Sequence, residues 1–251
     1  MVKLHSPNVY IKDPVDVWGK EHTIGNAELA ARLGGLSTFD RRGTVVWYDD
    51  FNNAPLTWTA VTTGAPVGSG YTMTLSDERV YRGNGSLKIM GSDTDDEYVS
   101  AIRTIGTKTT GNIGLDTVIT SAAGGSNHAF MVLKCHTGSR YLSTGLKFTY
   151  GDISCKKDTI NTDYNNANWA SFSTTYAQAI ANPTHAKLVV DVDNEKCVRC
   201  IVGGIEYDLS SYDMYAADSN TPARTIIEFG ALRTVGGSNL QNSFDHAILT
   251  I

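Results

Sequence analysis

Thr44-Val45-Val46-Trp47-Tyr48-Asp49-Asp50-Phe51 and the last eight residues, Phe244-Asp245-His246-Ala247-Ile248-Leu249-Thr250-Ile251, decide the fold between them. The first stretch is β-branched and aromatic before it turns acidic, which is strand composition. The second alternates: Ala247, Leu249 and Ile251 fall on one face, and His246, Ile248 and Thr250 on the other. The two are expected to be neighbours in one sheet. A chain that closes inside a strand has that end tied into the sheet.

Working inward from these two, strand follows strand. The pattern predicts strands at 57–61, 71–75, 86–90, 98–104, 114–119, 129–135, 141–149, 186–192, 196–202, 205–209 and 223–232. Glycine- and asparagine-rich turns separate them, and 187–209 reads as a tight meander. Many short strands at regular spacing make a sandwich or a barrel. The interval 155–183 is the least strand-like. It is polar and Asn-rich, with a helical turn expected at 175–180, and it is the expected surface for variable recognition.

Working outward, residues 1–40 differ from the rest. An irregular arm precedes a short predicted helix over 26–35, capped by Asn26 and stopped at Gly34. About nine residues cannot hold a helix alone in water, so the stripe of Leu29, Ala30 and Leu33 is expected to dock elsewhere. The expected division is an arm and helix at 1–40, serving assembly, and a sandwich domain at 41–251.

Three pieces of this chain resemble the concanavalin A-like jelly-roll sandwiches, a group that includes many carbohydrate-binding modules. They are Asp50-Phe51, Tyr81-Arg82-Gly83-Asn84-Gly85-Ser86-Leu87-Lys88-Ile89, and Asp245-His246-Ala247-Ile248. The resemblance covers roughly residues 41–251. It implies an all-β jelly-roll β-sandwich, here carrying an N-terminal extended arm and one short helix. It also implies a structural calcium between the first and last strands, held by Asp50 and Asp245, with Asn52 where a further acid usually stands. Separately, residues 33–51 resemble the leading segment of phage virion proteins.

Charge narrows the partners. The net charge is −5 and Arg41-Arg42 is the nearest thing to a basic cluster, so neither nucleic acid nor an anionic membrane surface is expected. No run of 18 apolar residues occurs, and residues 1–14 lack the apolar centre of a secretory signal. The four cysteines are therefore expected to be reduced and buried.

The chemistry-bearing residues are sparse. Glycoside hydrolysis needs two carboxylates flanking a cleft. The Glu-x-Asp-x-x-Glu strand that the resemblance would lead one to look for is missing, and Glu206 and Asp208 read as a solvated face. No catalytic residue is expected. Cys197 and Cys200 form a CxxC on a predicted strand, where positions three apart face opposite sides and cannot share a metal. The acidic run at 92–97 reads as a solvated turn. Sugar stacking needs an exposed aromatic ring. Trp169 and Tyr164, in polar surroundings, are the first candidates, with Trp58, Tyr141 and Tyr150 behind them.

The leading expectation is a non-enzymatic phage structural protein at the virion surface, such as a capsid decoration. It would dock through residues 1–40 and assemble as a homo-oligomer. The alternative is a carbohydrate-binding module or lectin-like adhesin that uses Trp169, Tyr164 and Trp58. No cofactor beyond structural calcium is expected.

Overall fold

A strand with one apolar face needs a second apolar layer to cover it, and the seventeen strands among the described residues make two layers. The fold is that of a computed structural model, which describes residues 43–52, 56–63, 71–81, 84–91, 98–106, 109–121, 127–149, 151–156, 169–176, 182–233 and 241–251. The expected arm and helix, the acidic run at 92–97, Tyr150 and Tyr164 lie outside the described residues. No described helix is long and apolar enough to cross a membrane.

In chain order the strands are β1 (Val45–Asp49), β2 (Thr59–Thr63), β3 (Thr72–Ser76), β4 (Ser86–Met90), β5 (Tyr98–Ile105), β6 (Asn112–Ser121), β7 (Asn127–His136), β8 (Arg140–Thr149), β9 (Gly151–Lys156), β10 (Trp169–Tyr176), β11 (Thr184–Asp191), β12 (Lys196–Val202), β13 (Ile205–Asp208), β14 (Tyr215–Asp218), β15 (Arg224–Arg233), β16 (Gln241–Phe244) and β17 (Ala247–Thr250). The nine-stranded sheet runs β13-β12-β11-β6-β16-β4-β3, with β17 between β6 and β1. The eight-stranded sheet runs β10-β9-β8-β7-β15-β5-β2, with β14 beside β8. The result is an antiparallel jelly-roll β-sandwich.

The two deciding stretches are partners, as read. Val45 pairs Thr250, Trp47 pairs Leu249 and Asp49 pairs Ala247. Backbone bonds in both directions between Thr44 and Ile251 close the ladder. The last expected strand is two strands, interrupted at Asp245-His246. There the chain exchanges one neighbour, β4, for another, β1, while both halves stay on β6. Asp245 N–H still bonds Val118 O, so the interruption costs no ladder bond at that point.

Ile113, Leu115, Leu188, Val190 and Leu249 face inward from the nine-stranded sheet. Met131, Leu133, Leu146, Phe148, Ile227 and Phe229 meet them from the eight-stranded one. An aromatic file crosses the core. Trp58 stacks on Phe229 at 5.3 Å and Phe229 on Phe244 at 4.6 Å, while Trp47 and Phe51 tilt against Trp58. Trp58 Nε1 donates to Asp49 Oδ2 at 2.9 Å, which answers its polar atom.

Three expectations are corrected. Residues 169–176, expected to belong to the least strand-like interval, form β10, while residues 177–180 of the expected helical turn lie outside the described residues. Register shifts on either side of Ser173 break the alternation that would have marked a strand. Strands β9 and β14 were not anticipated either, being short and polar. Finally, Cys197 and Cys200 both face the core. The β11–β12 ladder skips Val198, so a bulge puts residues three apart on the same side.

Candidate functional site

The outer face of the eight-stranded sheet carries charge on strands that are otherwise apolar. Its residues are set by register. Lys134 of β7 lies opposite Ser143 of β8, which lies opposite Tyr215 of β14. Lys147 of β8 is opposite Ser154, and Ser154 is opposite Ser171. Lys156 of β9 is opposite Trp169. Glu228 of β15 lies beside Val132. Each of these occupies the non-core position of a period-2 strand.

At the centre, Lys134 Nζ is 2.6 Å from Glu228 Oε2, and the glutamate is 1% exposed. Lys156 Nζ donates to Ser143 Oγ at 3.3 Å. Toward one end, Lys147 Nζ stands 5.4 Å from the centre of the Trp169 ring. Asp152 accepts from Ser154 Oγ at 2.7 Å and from Ser171 Oγ, so its carboxylate is held in one orientation. Toward the other end, His136 lies 4.9 Å from Tyr141, and Tyr141 lies 6.0 Å from Tyr215, edge to face. All three of these rings are half-buried.

Burial shapes the proton affinities on this face. Desolvation pushes the Lys147 and Lys156 ammonium groups down to about 8, with Lys134 adding repulsion at Lys156. Desolvation and Lys147 bring His128 down to about 4. His136 is lowered by burial and by Arg224 and Lys134.

The outer face of the nine-stranded sheet holds a second polar cluster, fully enclosed. Asp116 Oδ1 is 2.8 Å from His185 Nε2 and 3.2 Å from His246 Nε2, and Asp245 lies on the far side of the His246 ring. Burial works to raise Asp116, but His185 and His246 outweigh it and hold the carboxyl at about 2. Burial works to lower His246, but Asp116 and Asp245 outweigh that and raise it. Its depth makes this cluster a structural device rather than a place for substrate.

The expected site residues separate. Trp58 sits in the core, closed on both ring faces, and offers nothing to a sugar. Trp169 does lie on the charged outer face, but it is 6% exposed and packed with Phe130, Val132 and Leu232. Asp50 and Asp245 each accept hydrogen bonds. Asp50 accepts from Tyr48 Oη at 2.5 Å and from Asn52 N, while Asp245 accepts from Tyr81 N at 2.9 Å. Asn52 Oδ1 is spent on Asn84 N. Calcium needs six to eight oxygens. Among the described residues, no group of three or more His, Cys, Asp or Glu side chains that could hold a metal occurs.

The fold has solved counterparts. An endo-β-1,4-glucuronan lyase from the fungus Trichoderma reesei matches with a TM-score of 0.53 at 9% identity, over 82% of this chain and 95% of that one. A Bacteroides ovatus GH16 protein of mixed-linkage glucan, solved with its G4G4G3G product, matches at 0.49 and 8% identity, over 82% and 100%. The carbohydrate recognition domain of Emp47p matches at 0.49 and 11%, over 80% and 92%. No family model and no curated protein sequence matches the chain. The match to the lyase supports the all-β jelly-roll sandwich as the fold. The expected non-enzymatic phage structural protein is corrected: the sandwich that matches at 0.53 is that of the glucuronan lyase, and none of these three is a virion protein.

Sequence reasoning missed Lys134, Lys147, Lys156 and Glu228. They are scattered over four strands and converge only through register. The available signal was a single charge inside each apolar run, as in the Phe130-Met131-Val132-Leu133-Lys134 segment.

Proposed function

We propose that this sandwich is a carbohydrate-active domain that holds a saccharide chain across the outer face of its eight-stranded sheet. One observation carries the reading. The half-buried rings of Tyr141, Tyr215 and His136 lie on the same face as the Lys134–Glu228 pair. Aromatic rings present flat apolar surface to the C–H side of a sugar, while charged groups bond its hydroxyls. The fold itself, in the Trichoderma lyase, serves an enzyme that acts on a polysaccharide.

Lys147, Lys156 and Glu228 are 3%, 5% and 1% exposed, so they form the floor of this face, and Asp152 is bonded to Ser154 and Ser171.

The test is retention of the full chain in affinity gels cast with neutral β-glucans and with uronate polymers. Parallel incubations are read for new reducing ends and for the ultraviolet absorbance of an unsaturated sugar. Tyr141→Ala is the control, with its folding checked by circular dichroism. Retention that Tyr141→Ala weakens supports the reading. Equal mobility in every gel, with no product, removes it.

A further inference from the structure

Cys155 Sγ and Cys197 Sγ lie 3.8 Å apart in the middle of the core. Cys155 belongs to β9 in the eight-stranded sheet and Cys197 to β12 in the nine-stranded one, so this contact bridges the two layers. Both side chains are fully buried. The bulge in β12 turns Cys197 inward; without it, one of the two cysteines in that strand would point away. The Thr144 hydroxyl of β8 stands against the sulfur pair, 3.2 Å from Cys197 and 3.8 Å from Cys155.

We propose that Cys155 and Cys197 form a redox pair that closes to a disulfide joining the two sheets. The sulfurs need to approach to about 2.05 Å, a movement of roughly 2 Å. In the folded chain the Cys197 thiol is held below the ordinary range, chiefly by the hydrogen bond with Cys155, and Cys155 well above it by the same contact and by burial. Before the sandwich closes neither shift exists, and the step is the same whichever cysteine attacks first.

With a small-molecule disulfide as oxidant, the Cys197 thiolate attacks one oxidant sulfur and expels the other as a thiolate. Cys155 then gives up its proton and attacks the Cys197 sulfur of the mixed disulfide, expelling the second thiolate. The two cysteines are oxidised by two electrons, the oxidant is reduced to two thiols, and the protons pass to those leaving groups. Because the closed sandwich encloses both sulfurs, the oxidant meets them in the folding chain.

The chain should be unfolded and refolded in a mixture of glutathione and glutathione disulfide, then compared with the same protein refolded under a phosphine reductant. Three results are expected. Two of the four thiols disappear from a denaturing titration, with a mass loss of two hydrogens. A non-reduced tryptic digest links peptide 148–156 to peptide 197–199, since cleavage after Arg199 separates Cys197 from Cys200. The melting temperature of the oxidised form rises by roughly 5–10 °C, as closing a long loop in the unfolded chain predicts. Cys155→Ala loses the link and the shift, and Cys200→Ala keeps both. Four titratable thiols after oxidation, or a link from Cys197 to Cys200 instead, overturns the proposal. The wild-type thiol count and digest decide this even where a variant does not fold.

Discussion

Lys134 Nζ and Glu228 Oε2 meet at 2.6 Å on the outer face of the eight-stranded sheet, with the glutamate almost completely enclosed and the lysine 17% exposed. A buried carboxylate whose cation is removed keeps its desolvation penalty and loses its compensation. Lys134→Met should therefore destabilise the fold by about 3 kcal/mol in urea titrations. The double change Lys134→Met with Glu228→Leu should recover most of that loss. A single variant as stable as wild type would show that the pair does not hold the face.

Lys147 and Lys156 link this face to pH. Their folded affinities, about 8, lie below the ordinary 10.5, so between those values the unfolded chain binds more protons than the folded one. Their contribution to stability is least below about pH 8 and grows as pH rises toward 10.5. Cysteines elsewhere in the core titrate in the same range with the opposite sign, so the useful quantity is a difference. The stability of wild type relative to Lys147→Met should increase from pH 8 to 10.5, measured by urea unfolding at half-unit steps. A constant difference would mean that Lys147 is not shifted.

The enclosed cluster on the other sheet predicts a second pH dependence. Asp116 falls from 3.8 to about 2 on folding, so its contribution is complete above 3.8 and is lost as pH falls through about 2. His246 is raised above 6.5, so its contribution is complete below 6.5 and is lost as pH rises through the raised value. Both are in place between about pH 4 and 6.5. Asp116→Asn should cost about 3 kcal/mol within that window and flatten the acid limb of the stability curve. An unchanged acid limb would move the acid sensitivity to other carboxylates.

Gly230 explains how Phe130 reaches its place. A methyl group at residue 230 would overlap the Phe130 ring, which lies across that glycine in the neighbouring strand. Phe130 is fully buried and packs with Trp169, so it has little room to retreat. Gly230→Ala should cost about 1–3 kcal/mol by overpacking and should change the tryptophan fluorescence. The same substitution at Gly111, where nothing lies within 4 Å, tests backbone conformation alone, because its φ is positive.

What the sequence made legible was periodic. The β1–β17 pairing, the β11–β13 meander and the inward face of β17 followed from alternation and turns. What stayed hidden depended on breaks in that alternation or on register between distant strands. The bulge at Val198 reversed the reading of the CxxC, and the shifts around Ser173 concealed β10. Trp58 follows a polar-looking segment, yet its ring is drawn into the core by Phe229 and anchored by Asp49. The charged face could not be read from local spacing, because Lys134, Lys147, Lys156 and Glu228 stand on four different strands.

That distinction decides which aromatic residue to change first. Trp169 looks like a sugar platform in sequence, but its ring packs on Phe130, Val132 and Leu232 and lies under Lys147. Trp169→Ala removes a packed ring and should destabilise the fold by about 3 kcal/mol, so a loss of glycan binding in that variant would have two explanations. Tyr141 and Tyr215 are half-buried, and their rings meet edge to face. Tyr141→Ala and Tyr215→Ala should each lower saccharide affinity by about tenfold, in keeping with about 1.4 kcal/mol, while shifting the urea midpoint far less than Trp169→Ala does. If only Trp169→Ala weakens binding, and does so with the fold intact, the saccharide lies at the β10 end of the sheet instead.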